Sequence, residues 1–325
     1  MHTLLEELGK IGIVPVIKID DAQKAVPLAK ALASGGIPCI EITFRTAQAE
    51  DAIKNIAKAM PEMLVGAGTV LTKEQVDKAI DAGAKFIVSP GFNPNVVSYC
   101  TAKGIPIVPG CVNPSDIERA LDHGLEAVKF FPAEQAGGIE YIKAIAAPYP
   151  QLKFMPTGGI NAENLSRYIA FEKTFCCGGS WMAGADLINA GEFEKIEALS
   201  REAVFNLLGF SVAHIGVNSG SEEEAKKASV FFNTFFGFPV KDGAGSVFSG
   251  TNIEFVKTAA PGSRGHIAIG TNSLTRAIAR LERGGITFDH DNAKKDATGA
   301  VIAVYLQTEI LGFAVHLLRK STASH

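Results

Sequence analysis

Along the first two-thirds of the chain, short apolar runs alternate with longer stretches in which apolar residues recur at helical spacing. The runs at 13–17, 39–43, 63–67, 86–89, 106–108, 127–131, 153–156 and 174–177 read as β-strands. Between them lie stretches with helix start and stop signals. One covers 20–34 and runs into Gly35-Gly36; another begins at Thr72, with Glu74-Gln75 in its first turn, and ends at Gly83. A third runs from Asn113, with Pro114 at the first helical position, to Gly124, and the last spans 191–208. Eight strands alternating with helices at intervals of about 20 to 25 residues predict an α/β domain with a parallel sheet closed into a (β/α)8 TIM barrel over 1–208. A doubly wound open sheet is the rival, but no Gly-x-Gly-x-x-Gly follows the first strand.

Beyond Gly209 the pattern changes. A strand at 211–217 and a helix at 221–236 lead through the turn Gly237-Phe238-Pro239-Val240 to strands near 246–248 and 252–257. The order then repeats, with a strand at 265–271, a helix at 273–283, and strands near Thr287, at 300–306 and at 314–318. Two βαβββ modules of about 50 residues each predict a smaller, internally duplicated α+β domain over 209–325. Phe231-Phe232 and Phe235-Phe236 have helical spacing and read as core of this domain. Glu222-Glu223-Glu224 falls in a first turn, where acids complement the helix dipole.

Composition narrows the partners. The net charge of −3 over 325 residues argues against a nucleic-acid or anionic-membrane surface, since both require a basic excess. No apolar run of about 20 residues occurs, and the opening Met1-His2-Thr3-Leu4-Leu5-Glu6-Glu7-Leu8 reads as an amphipathic helix rather than a signal peptide. The cysteines, Cys39, Cys100, Cys111, Cys176 and Cys177, lack zinc spacing; most fall on or beside strands, the pattern of reduced core thiols in a cytoplasmic protein.

Lys129 stands in the middle of an apolar strand, sharing a face with Ala127 and Phe131. Burial disfavours the charged form of an amine, and a neutral ε-amine is a nucleophile suited to forming a Schiff base with a ketone. The competing reading is a lysine whose stem is buried and whose ammonium reaches water. In a barrel, chemistry sits at the carboxyl ends of the strands. Strand two there carries Glu41, between two isoleucines, with Arg45 just beyond; a carboxylate on such a strand needs a partner, which Lys129 or a water would supply. Strand seven runs into Pro156-Thr157-Gly158-Gly159 and strand eight into Gly178-Gly179-Ser180. Glycine-rich loops after these two strands let backbone N–H groups cradle a phosphate.

These segments, with Val14-Pro15-Val16, Glu41-Ile42-Thr43-Phe44-Arg45-Thr46, Val65-Gly66-Ala67-Gly68-Thr69-Val70-Leu71, Ser89-Pro90-Gly91 and Lys129-Phe130-Phe131-Pro132-Ala133-Glu134, resemble the 2-keto-3-deoxy-6-phosphogluconate (KDPG) and 4-hydroxy-2-oxoglutarate (KHG) aldolases across the whole barrel. The resemblance implies a lyase that cleaves KDPG to pyruvate and glyceraldehyde 3-phosphate, and KHG to pyruvate and glyoxylate, through a lysine imine and without a metal or other cofactor. It makes Lys129 the nucleophile and Glu41 the general acid/base. It places Arg45, Thr69, Pro90, Phe131 and Thr157 at the substrate and Gly158, Gly159, Gly179 and Ser180 at its phosphate, and it implies a trimer formed through the barrel. Cys111, in Cys111-Val112-Asn113-Pro114 after strand five, departs from the serine or threonine of many relatives and is a candidate determinant of aldehyde preference.

The second domain, through His214-Ile215-Gly216-Val217 and Gly265-His266-Ile267-Ala268-Ile269, resembles the vicinal-oxygen-chelate superfamily of glyoxalases and extradiol dioxygenases. The resemblance implies a divalent metal on His214, Glu254, His266 and His316, of which His316 replaces the usual carboxylate; this donor set suits zinc, nickel or iron. The alternative is that these histidines are remnants on a domain kept for packing or assembly. For the chain as a whole, a phosphosugar isomerase or epimerase on the same barrel is the second enzyme reading, but such chemistry does not require Lys129. A scaffolding protein would give no reason for Glu41 and Lys129 together.

Overall fold

In the computed structural model, which describes residues 1–258 and 260–320, the apolar runs of the first part become parallel strands. They are β1 Ile13–Ile17, β2 Cys39–Thr43, β3 Leu64–Gly68, β4 Phe86–Val88, β5 Ile107–Val108, β6 Ala127–Phe130, β7 Lys153–Pro156 and β8 Cys177–Gly179. One parallel sheet has the order β5-β4-β3-β2-β1-β8, and β6 pairs with β7 in a second. Isolated parallel bridges link the two: Gly110 with Lys129 on one side, Phe154 with Thr174 and Thr157 with Gly178 on the other. Each helix between strands buries one stripe. In Ala49–Ala59 the stripe is Ala49, Ala52, Ile53 and Ile56, the i, i+3, i+4, i+7 set of an amphipathic helix. Thr72 and Gln75 close a reciprocal capping box on the helix Lys73–Asp81, and Asn113 caps the helix that begins at Pro114.

Two expectations shift here. The last parallel strand lies at Cys177–Gly179 rather than 174–177, because pairing with β1 runs from Cys177 through Gly178 to Gly179. Glycines that read as a loop are therefore strand residues, chosen for close approach: a Cβ on Gly178 would lie 2.4 Å from Thr157 Oγ1 and one on Gly179 2.1 Å from Trp181 Cζ3. The final helix runs as expected, Phe193–Leu208, but a short unexpected helix, Ala185–Ala190, closed by left-handed Gly191, precedes it.

The chain divides into two compact units, Met1–Leu207 and Leu208–His325. The second has one mixed sheet built from β9 Ser211–Asn218, β10 Val240–Asp242, β11 Ser246–Ser249, β12 Ile253–Val256, β13 Gly265–Thr271, β14 Lys294–Lys295, β15 Val301–Tyr305 and β16 Phe313–Arg319. Its order, β10-β11-β12-β9-β13-β16-β15-β14, repeats one arrangement outward from the central β9–β13 pair, with β12 parallel to β9 and β16 parallel to β13. One helix follows the first strand of each half, Glu222–Phe236 and Leu274–Arg283. The strand expected near Thr287 is only an isolated bridge between Phe288 and Leu306, and the edge is the two-residue β14.

The phenylalanine pairs are also corrected. Phe232 packs with Ala228 and Ile253 on the buried cluster Ala225, Val247 and Phe255, whereas Phe231, Phe235 and Phe236 are more than half exposed. A helix on a sheet buries one stripe, here through 225, 228 and 232; Phe231 and Phe235 lie off it, and Phe236, one turn beyond Phe232, is the last residue of the helix.

Candidate active site and candidate metal centre

Lys129 is held in place through its backbone. Its N–H donates to Pro109 O (2.8 Å), and its carbonyl accepts from Cys111 N–H (2.8 Å). Strand alternation turns its side chain toward that of Glu41 on β2. Lys129 Nζ lies 3.5 Å from Glu41 Oε1, with the two residues 5% and 0% exposed. A buried ion pair keeps each charge tolerable in a medium that would penalise either alone. Among the described residues Glu41 Oε2 has no hydrogen-bond partner, which leaves one carboxylate oxygen able to accept or give a proton. Gly68 makes room for this group: a Cβ there would lie 2.1 Å from Glu41 Oε1.

Around this pair stand the other residues singled out in the sequence. The ring of Phe131, 37% exposed, is centred 5.3 Å from Lys129 Nζ. Thr69 has φ +56°, left-handed backbone that a β-branched residue adopts only under constraint and that clusters at functional sites. Arg45 Nε donates to Thr43 Oγ1 (3.1 Å), which itself donates to Ile17 O (2.9 Å). Thr43 therefore orients Arg45, a role that sequence reasoning missed although alternation already set Thr43 on the face of Glu41. Pro90 and Gly110 meet so closely that a Cβ on Gly110 would lie 2.0 Å from Pro90 O. Thr157 is buried, its N–H donating to Phe130 O (2.9 Å) and its hydroxyl to Met155 O (3.4 Å).

Gly158 and Gly159 follow β7 with φ +99° and +79°, successive left-handed residues that only glycine tolerates without strain. The carbonyls of Thr157 and Gly158 accept from the N–H groups of Ala133 (2.8 Å) and Glu134 (3.1 Å), which stitches this turn to the loop that follows Lys129. Gly179 ends β8 and Ser180 is exposed just beyond it. Burial pushes the Cys111 thiol up to about 12, with Asp116 adding to the shift, so Cys111 fills space after β5 as an unreactive thiol.

In the second unit His214 (β9), Glu254 (β12), His266 (β13) and His316 (β16) converge. Glu254 Oε2 lies 3.1 Å from His214 Nε2 and 3.0 Å from His266 Nε2, and the two Nε2 atoms are 3.1 Å apart. The histidines offer ligand atoms that all lie within 4.8 Å of one another. Among the described residues, His266 Nδ1 and both ring nitrogens of His316 are buried without hydrogen-bond partners. Burial, with His266 and His214 beside it, pulls His316 down to about 3, so it stands as a neutral base. Burial opposes ionisation of Glu254, but hydrogen bonds from His214, His266 and Ser246 outweigh it and hold the carboxyl well below its usual range. Gly216 on β9 clears the space, since a Cβ there would lie 2.0 Å from the His266 ring. Three clustered imidazoles and one carboxylate, with unpartnered ring nitrogens among them, fit a borderline divalent cation.

Comparison with known proteins bears on the first unit. A sequence model described as "Aldolase: KDPG and KHG aldolase" matches residues 4–199. The 2-dehydro-3-deoxy-phosphogluconate aldolase of Treponema pallidum is 48% identical over 204 residues, which are 63% of this chain and 97% of that protein. The KHG/KDPG aldolase of Escherichia coli K12 is 45% identical over 192 residues, 59% of this chain and 90% of that one. Among solved structures, the KDPG aldolase of Legionella pneumophila, with pyruvate captured as a covalent carbinolamine, superposes with a TM-score of 0.60 at 37% identity, covering 61% of this chain and 97% of its own. The Zymomonas mobilis enzyme with 3-phosphoglycerate gives 0.57 at 39% identity, over 61% and 94%.

Proposed function

The chain belongs to the KDPG and KHG aldolase family, and from that premise we propose how its residues carry the reaction. The activity is that of a carbon–carbon lyase: KDPG is cleaved to pyruvate and glyceraldehyde 3-phosphate, and KHG to pyruvate and glyoxylate. The observation that carries the assignment of residues is the buried Lys129–Glu41 pair at 3.5 Å.

Lys129 Nζ, as the free amine, adds to the C2 ketone, and loss of water from the resulting carbinolamine leaves a protonated imine. The C3–C4 bond then breaks, and its electron pair flows into the imine to give an enamine. The C4 hydroxyl loses its proton to Glu41 as the aldehyde departs. Glu41 returns a proton to C3 of the enamine, and water hydrolyses the pyruvate imine to free Lys129. Arg45, oriented by Thr43, and Thr69 hold the pyruvyl carboxylate; Pro90, Phe131 and Thr157 line the reacting carbons. The backbone of Gly158, Gly159 and Gly179 and the Ser180 hydroxyl take the phosphate.

We read the two parallel sheets, linked by bridges at both edges, as one closed (β/α)8 barrel. Membership of the family favours a homotrimer formed through that barrel. A reducing cytoplasm suits an enzyme with five cysteines, none in a zinc-ligand spacing. Among the described residues no helix is long and apolar enough to cross a membrane. Pyruvate release from KDPG and from KHG, followed in chelator, tests the reading; release from neither overturns it.

For the second unit we propose a glyoxalase-like, vicinal-oxygen-chelate module. The observation that favours it is the convergence of His214, Glu254, His266 and His316 from the first and last strands of the two repeated halves. These four residues would hold zinc, nickel or iron, and such an ion supplies a Lewis acid for a ligand oxygen. Metal analysis of the purified protein tests this, and a metal-free protein that takes up none of these ions on addition contradicts it.

A further inference from the structure

The turn proposed for the phosphate is gripped by two residues that the mechanism leaves unused. Tyr168, in the helix Leu165–Ile169, is 1% exposed, and its hydroxyl donates to Glu134 Oε1. Glu134 belongs to the loop after β6, and its backbone N–H already binds Gly158 O. Its side chain lies directly over the next residue of the turn: a Cβ on Gly159 would meet Glu134 Cγ at 2.6 Å and Cβ at 2.7 Å. Gly138, with φ +64°, lies beside the pair: a Cβ there would be in ordinary contact with the Tyr168 hydroxyl oxygen (3.4 Å) and Glu134 Oε1 (3.7 Å). From the other direction Asn164 Nδ2 donates to Gly159 O (2.9 Å).

A carboxylate beside an anion cradle is unfavourable unless something fixes where its charge points, because like charges repel. A buried tyrosine hydroxyl does this with a charge-assisted hydrogen bond, and its own anchoring in the helix makes the contact rigid. We infer that Tyr168 and Glu134 form a clasp that positions the Gly158-Gly159 turn for the phosphate end of the substrate. The inference rests on the assignment of Gly158 and Gly159 to the phosphate made above. Tyr168 and Glu134 act through the turn, not on the reacting carbons.

The test is steady-state kinetics of wild type, Tyr168→Phe, Glu134→Ala and Glu134→Gln with phosphorylated KDPG and unphosphorylated KHG, together with inhibition by inorganic phosphate. Tyr168→Phe is expected to raise KM for KDPG roughly tenfold and to weaken phosphate inhibition alike, the size of a lost hydrogen bond to a charged group. Its kcat, and both constants for KHG, stay within about twofold. Glu134→Ala, which approaches the clasp from its exposed end and does not depend on repacking the interior, gives the same split. Glu134→Gln, which retains an acceptor for the hydroxyl, restores most of it. Equal losses on both substrates, or a lower Tm with the KM ratio unchanged, overturn the clasp. A wild-type enzyme that inorganic phosphate does not inhibit overturns the phosphate assignment beneath it; inhibition equal in wild type and variants overturns the clasp alone.

Discussion

The two units each bury a cluster of ionisable side chains, and the clusters differ in what they lack. In the first, Lys129 and Glu41 compensate each other at 3.5 Å, and among the described residues Glu41 Oε2 has no partner. In the mechanism proposed above, such a pair would exchange a proton once the amine has reacted. In the second, among the described residues, His266 Nδ1 and both nitrogens of His316 are buried without partners beside a single carboxylate. Buried polar atoms without partners cost about 1–3 kcal/mol each, and a metal ion would satisfy those aimed at it. A mutually compensating pair therefore differs from a cluster of unpartnered ring nitrogens able to hold a cation, and each cluster sits in its own compact unit.

The contrast is broken most severely at Lys129. Lys129→Ala or Lys129→Arg is expected to lower turnover by at least about 10⁴-fold, since neither side chain supplies a neutral amine. Loss of less than about a hundredfold in a KDPG cleavage assay would move the nucleophile elsewhere. Glu41→Gln comes next. It should keep forming the imine but lose about 10²–10⁴-fold in turnover, because the carboxyl acts after the substrate is bound. Turnover near wild type would leave Oε2 without a function.

Smaller effects probe the second cluster. His266→Ala or His316→Ala should weaken binding of zinc or nickel by on the order of 10–100-fold or more, read by competition with a chromophoric chelator. Saturating metal at about a hundred times Kd should stabilise the wild-type second unit by about 2.7 kcal/mol in thermal unfolding while the transition of the first unit stays put. Metal that shifts both transitions equally would deny the separation. The smallest effect is expected from removing the second unit: a chain ending at Leu208 should keep turnover in chelator within a few-fold. A soluble but inactive product would show that the second unit completes the aldolase site.

Much of this was legible in the sequence because strand alternation is strict. It grouped Lys129 with Ala127 and Phe131 on one strand face, whereas His214, Glu254, His266 and His316 are singled out by the family resemblance and not by the pattern. What escaped depends on contacts between segments far apart in the chain. Gly178 and Gly179 read as loop because glycine marks turns, yet they are strand residues against Thr157 and Trp181. β10, Val240–Asp242, and β14, Lys294–Lys295, are short and exposed, so they carry no hydrophobic pattern to read. The hydrogen bond of Tyr168 to Glu134 joins a helix to a distant loop of the chain and carries no mark in the sequence. The phenylalanines of Glu222–Phe236 misled because helical spacing does not say which stripe faces the sheet.

The central claim, an imine at Lys129 assisted by Glu41, is tested most directly by trapping. Wild-type protein reduced with borohydride in the presence of pyruvate, then digested and mapped by mass spectrometry, should carry one pyruvyl-derived adduct on Lys129. The same treatment of Glu41→Gln should give that adduct, and Lys129→Ala should give none. An adduct on another lysine such as Lys18 or Lys153, or none on the wild type, would contradict the account.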